Sequence, residues 1–135
     1  MTITSSPPLT NLLAMPLAIL QVQTGTNEDW IDSVKYVVDT GETDPPQLDI
    51  RGILFEMEVR RQTDDHEVVI SATTEDGTLA IGEAPDFGFF LFNIDKEVMK
   101  RQTPGKYVAD VVGIDAEFRR VTIQIDLTIF EGITR

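Results

Sequence analysis

The one histidine, His66, sits in the run Thr-Asp-Asp-His-Glu at residues 63–67 and is the only imidazole this chain could use as a general base. Nucleophilic catalysis would need a hydroxyl beside that ring and a carboxylate to orient it. The serines are Ser5, Ser6, Ser33 and Ser71; none lies in a Gly-x-Ser-x-Gly elbow, and there is no cysteine. An isolated histidine in a polar turn reads as solvated.

Carboxylates are the other chemical resource. Asp39, Glu42, Asp44 and Asp49 share one loop, while Asp64, Asp65 and Glu67 flank His66 in another. Calcium takes about six to eight oxygens from closely spaced donors. No Asp-x-Asp-x-Asp-Gly loop is present, so both segments read as solvated acidic turns, with a divalent site in a hairpin loop as the lesser reading. Glycoside hydrolysis needs two carboxylates across a cleft, and 23 acidic residues supply pairs without singling one out. Gly52, Gly77, Gly82, Gly88 and Gly105 are isolated and form no phosphate-cradling loop. The expectation is a protein that is not an enzyme, with no catalytic, cofactor-binding or metal-binding residues and no cofactor.

The 23 acidic residues face 11 basic ones, for a net charge of −12. Such a field repels phosphate backbones and anionic membrane surfaces, so neither nucleic acid nor membrane is expected as a partner. It suits a basic partner or a cation, and its plainest use is solubility. No apolar run approaches the roughly 18 residues that a bilayer span needs. Residues 12–20 are apolar, but Pro16 interrupts them and no Lys or Arg precedes them, unlike a signal peptide. The absence of cysteine excludes a disulfide framework and thiolate metal sites.

The elements that would carry any site are strands. Val121, Ile123, Ile125, Leu127 and Ile129 alternate with Thr122, Gln124, Asp126 and Thr128, which gives one strand a core face and a wet face. Ile53, Phe55, Met57 and Val59 do the same against Glu56, Glu58 and Arg60. Further strands are expected over residues 17–23, 30–38, 68–74, 78–81, 87–94 and 106–114. Phe87, Phe89, Phe90 and Phe92 load both faces of one strand, so the face away from the core needs cover from a loop, the N-terminal arm or another subunit. At residues 95–101 the β pattern breaks: Asp95 can cap a short helix that ends before Pro104-Gly105. About eight strands with one short crossover helix make an all-β antiparallel sandwich. Residues 1–16 read as a flexible N-terminal arm, and 17–135 as a single β-sandwich domain.

Tyr107 follows Pro104-Gly105 at the start of a strand. In immunoglobulin-like sandwiches a tyrosine at this corner bonds its hydroxyl to upstream backbone and pins the crossover between sheets. Tyr107 is therefore read as structural, and the topology as immunoglobulin-like.

The order of segments adds a family resemblance. Trp30 opening a strand, Leu48-Asp49-Ile50-Arg51-Gly52, then Phe55-Glu56-Met57-Glu58-Val59-Arg60 resembles small phage and prophage tail proteins. Asp76-Gly77-Thr78-Leu79, Pro104-Gly105-Lys106-Tyr107 with Asp110, and the closing Ile133-Thr134-Arg135 also look like that family. Ile50 stands where leucine is usual, and residues 41–47 carry an extra Asp-Pro-Pro. The resemblance covers roughly residues 17–135. It implies a module similar to the N-terminal immunoglobulin-like module of baseplate upper proteins, a structural protein of the virion tail made in the bacterial host cytoplasm. Its partners would be other tail or baseplate subunits and further copies of itself, as a homo-oligomer. The alternative reading is a carbohydrate- or cation-binding sandwich that uses the acidic loops.

Overall fold

A computed structural model describes residues 1–5, 11–116 and 118–132. Strands make up 51% of it and helix 5%, so the chain is all-β. In chain order the elements are β1 (Thr2–Ser5), α1 (Asn11–Ala14), β2 (Ala18–Gly25), β3 (Trp30–Val38), β4 (Leu54–Arg60), β5 (Ile70–Thr73), β6 (Leu79–Ile81), β7 (Phe89–Ile94), α2 (Lys96–Met99), β8 (Gly105–Ile114) and β9 (Arg119–Phe130). Two sheets pack face to face without closing into a barrel: β1-β3-β7-β6 and β2-β9-β8-β4-β5. With β2 set aside, the remaining strands reproduce the A-B-E-D and G-F-C-C′ orders of the immunoglobulin fold.

Alternation dictates the inner faces. Along β4, Phe55, Met57 and Val59 are buried while Leu54, Glu56 and Glu58 face outward. On β2 the buried residues are Ala18, Leu20, Val22 and Thr24, with Ile19, Gln21 and Gln23 exposed. Phe90 and Phe92 of β7 enter the core. Trp30 stacks on Phe92 with ring centroids 5.2 Å apart, and Phe90 meets Phe92 edge-on at 5.0 Å. The outward Phe87 is capped by the Arg51 guanidinium, 3.6 Å from its ring centre, and Lys35 Nζ lies 5.8 Å over Phe89. Cover for that face is thus intramolecular.

Gly88 shows how closely the loop before β4 is drawn in. Tyr36 N–H donates to the Gly88 carbonyl at 2.8 Å, and Leu48 N–H donates to the Tyr36 carbonyl at 3.0 Å. A Cβ on Gly88 would lie 2.6 Å from the Tyr36 carbonyl oxygen, so only glycine lets three backbone segments meet there.

Three features differ from the sequence expectations. The described strands number nine rather than about eight, because Thr2–Ser5 forms β1. The sandwich is antiparallel except at two places, where β1 pairs with β3 and β2 with β9 in parallel. Thr122, expected on the wet face, is fully buried, and Val121 is only half-buried. The cause is a β-bulge: Val112 pairs with Val121 but Val111 pairs with Ile123, so Thr122 is the extra residue. Its hydroxyl donates to the Val111 carbonyl at 3.2 Å.

Within the segment read as a flexible arm, residues 6–10 lie outside the described residues. Ile3 of β1, Leu12 and Met15 are buried in the main core, while Thr2, Thr4 and Leu13 are exposed. Leu12 sits over Gly113, where a Cβ would come within 2.7 Å of its Cδ1. Leu12→Ala is therefore expected to cost about 2–5 kcal/mol in urea unfolding, the range of a buried leucine truncation. A loose arm would show no change in the same measurement.

Candidate docking surface

The chemistry-bearing residues are dispersed. His66 is exposed in the β4–β5 connection with Asp64 and Glu67 also exposed beside it. In the β3–β4 loop Asp39, Glu42 and Asp44 are exposed, and Asp49 is taken up by Arg51. Arg51 Nε donates to both Asp49 oxygens, at 2.9 and 3.1 Å, and Nη2 donates to Oδ2 at 2.6 Å. Those bonds hold the Asp49 carboxyl below the usual carboxylate range. Asp76 is lowered as well, chiefly by the Thr78 hydroxyl and then by the Thr78 N–H, which donates at 2.9 Å to close the β5–β6 turn. Among the described residues no three His, Asp or Glu side chains gather as metal donors.

Tyr107 takes the structural role expected of it. Its hydroxyl donates to the Thr103 carbonyl, four residues upstream. Arg61 Nη1 donates to the Tyr107 hydroxyl oxygen at 3.2 Å, with its guanidinium 5.0 Å from the ring centre. Trp30 is core, 2% exposed. Its indole N–H and the Tyr36 hydroxyl are buried and find no hydrogen-bond partner among the described residues. Thr122 is the polar neighbour of Tyr36, but their hydroxyls miss hydrogen-bond geometry and the Thr122 proton goes to Val111. Burial dominates and pushes the Tyr36 phenol well above its usual range.

What the surface does offer is apolar and backbone character. Among Glu56, Glu58, Lys106, Asp110 and Asp126, the outer face of the five-stranded sheet also exposes Ile19 on β2 (64%), Leu54 on β4 (48%) and, at the opposite end from Leu54, Phe130 on β9 (52%). The half-buried Val112, Ile114 and Val121 lie between the β2 and β4 residues on the outward sides of β8 and β9. The edge strand beside them, β2, is Ala-Ile-Leu-Gln-Val-Gln-Thr-Gly. It has β9 on one side and, among the described residues, no strand on the other. Motif-based reading passes over this strand because what an edge offers is backbone N–H and C=O groups. A signal was there, however: residues 1–27 contain no charged side chain, in a chain that is 25% charged.

No family model matches this chain, and no curated protein does. Among solved structures it is similar to the N-terminal domain of phage TP901-1 ORF48, with 13% identity, a TM-score of 0.47 and 95% of each chain covered.

Two tyrosine variants separate the buried phenol from the corner. Tyr107→Phe removes the bond to Thr103 and is expected to lose about 1–2 kcal/mol in urea unfolding. Tyr36→Phe removes a buried hydroxyl that has no partner among the described residues, and is expected to be at least as stable as the parent. Because the folded Tyr36 phenol titrates above the unfolded one, its contribution is whole below about pH 10 and is lost as pH rises past that value. Stability of the parent should then fall more steeply above about pH 10 than that of Tyr36→Phe. Parallel alkaline profiles for the two proteins would contradict this.

Proposed function

We propose that this chain is a non-enzymatic structural protein of a phage or prophage tail or baseplate, acting by contact with other tail subunits and with further copies of itself. Its working place is the virion tail, after synthesis in the bacterial host cytoplasm. The observation that carries the reading is an apolar cluster at one end of the outer face of the five-stranded sheet, where exposed Leu54 pairs with Ile114, and Val112 with Val121, across β4, β8 and β9. A strongly acidic chain has no solubility reason to keep that cluster facing outward, whereas a contact surface does. The ordered likeness of its segments to tail proteins supplies the setting.

Mechanistically the protein is a rigid spacer. The sandwich holds one sheet face and a strand edge in a fixed relation, so a partner docked on either is oriented by the fold. The alternative, a carbohydrate or cation site in the acidic loops, has no particular observation in its favour. Asp49 is committed to Arg51, and the only tryptophan is in the core.

Co-expression with the proteins encoded by neighbouring genes is the direct test. A tagged chain should co-purify with at least one tail subunit, and Leu54→Asp, at an exposed position, should weaken that capture while leaving the thermal midpoint unchanged. Failure to bind any co-encoded tail protein, or a gene neighbourhood of metabolic enzymes, would remove the reading.

A further inference from the structure

We infer that β2 is a self-pairing edge: two copies of this chain join antiparallel along Ala18–Gly25, about a two-fold axis near Gln21, so that two five-stranded sheets become one sheet of ten. The inference extends the assembly role proposed above and rests on it.

Sheet edges present unpaired N–H and C=O groups, and proteins usually blunt them with charge, proline, a bulge or brevity. Three of the four edges here are short: β1 and β5 have four residues each and β6 has three. The fourth, β2, has eight residues with neither charge nor proline. It is also regular, with unbroken register against β9 from Ala18 to Gly25. At its end the Gly25 N–H is taken by Glu28 Oε1 at 2.9 Å, but from Ala18 to Thr24 none of the usual protections is present among the described residues.

The charge pattern selects the occupant. Every charged side chain of the protein lies at or beyond Glu28. A basic partner would be drawn to that acidic remainder and would gain nothing from β2. A second copy meets the opposite condition, because two bodies of charge −12 repel wherever their acidic surfaces approach. A two-fold axis near Gln21 brings that residue beside its own image, so a charge at the centre of β2 would face a like charge. From Ala18 to Thr24 β2 is free of that penalty, and the nearest carboxylate in sequence, Glu28, reaches only to Gly25 at the strand's end. The nearest charge on the adjoining strand is Asp126, in register with Gln21. Neighbouring strands lie about 4.8 Å apart, which puts Asp126 and its image three strand spacings, about 14 Å, from each other. That exceeds the Debye length of about 8 Å at physiological salt. Across the axis the exposed Gln21 amides can pair with each other, and Ile19 of one copy lies near Gln23 of the other.

Sedimentation velocity on the full chain tests this. The parent should dimerise by about 100 µM, and more tightly as NaCl rises from about 50 to about 500 mM, since salt screens the repulsion without weakening backbone pairing. Gln21→Lys places a charge against its own image and should weaken the dimer at least about tenfold. Ile31→Lys, exposed on the outer side of the other sheet, changes net charge equally and should leave the dimer intact. Both sites are exposed, and matching thermal melts confirm that each variant folds. A parent that stays monomeric, a dimer indifferent to Gln21→Lys, or equal loss with Ile31→Lys overturns the proposal. So does protection of β2 amides from exchange only when a tail subunit is added, which would give the edge to that partner. A monomer that still captures tail proteins sinks self-pairing alone. A Gln21-sensitive dimer that captures none sinks the tail assignment alone.

Discussion

The edge of one aromatic ring against another joins the two layers. Phe90 on β7 meets Phe55 on β4 with centroids 4.8 Å apart and planes inclined by 68°. Such a contact adds about 0.5–1.5 kcal/mol to the burial of the rings themselves. Its larger effect is geometric, because it fixes which residues of each strand can face inward. From Phe90 the stack runs through Phe92 to Trp30, tying β3 to β7. Two residues before Phe90, Gly88 lets the loop ahead of β4 close over β3. At the far end of β7 the chain crosses through α2 to β8, where Tyr107 clamps the corner.

Much of this was legible from residue order. β4 and the far half of β9 announce themselves because one face is wet and the other dry, and period-two alternation survives wherever pairing is regular. It fails at Thr122, where one inserted residue moves a hydroxyl into the core and a valine toward solvent. No local pattern marks a bulge. β1 escaped for a different reason: four residues with one buried side chain, Ile3, are too few to show a period, and their partner β3 is some thirty residues away. Leu12 and Met15 look like part of a proline-broken apolar run, and only the missing side chain of Gly113, whose place Leu12 Cδ1 occupies, explains the leucine.

The candidate surface was less legible than the fold. Searches for chemistry weigh side-chain types and spacing, so they settle on His66 and the acidic turns, where no three metal-donor side chains gather among the described residues. A docking edge is defined by what its side chains lack. β2 differs from the rest of the chain in having no charge, and its outer backbone groups become a surface only because the fold places it last in its sheet.

The parallel pairing of β2 with β9 also bears on synthesis. Ala18 aligns with Ile123 and Gly25 with Phe130, so about a hundred residues must leave the ribosome before β2 finds its native neighbour. At about 5–20 residues per second, that interval lasts several seconds or more. Throughout it β2 is an uncharged strand with both edges open, on the same polysome as identical nascent strands. The acidic segments that emerge behind it carry like charge, which repels the same segments of a neighbouring chain wherever the two come close. In that sense the protein's excess charge guards its birth as much as its finished state.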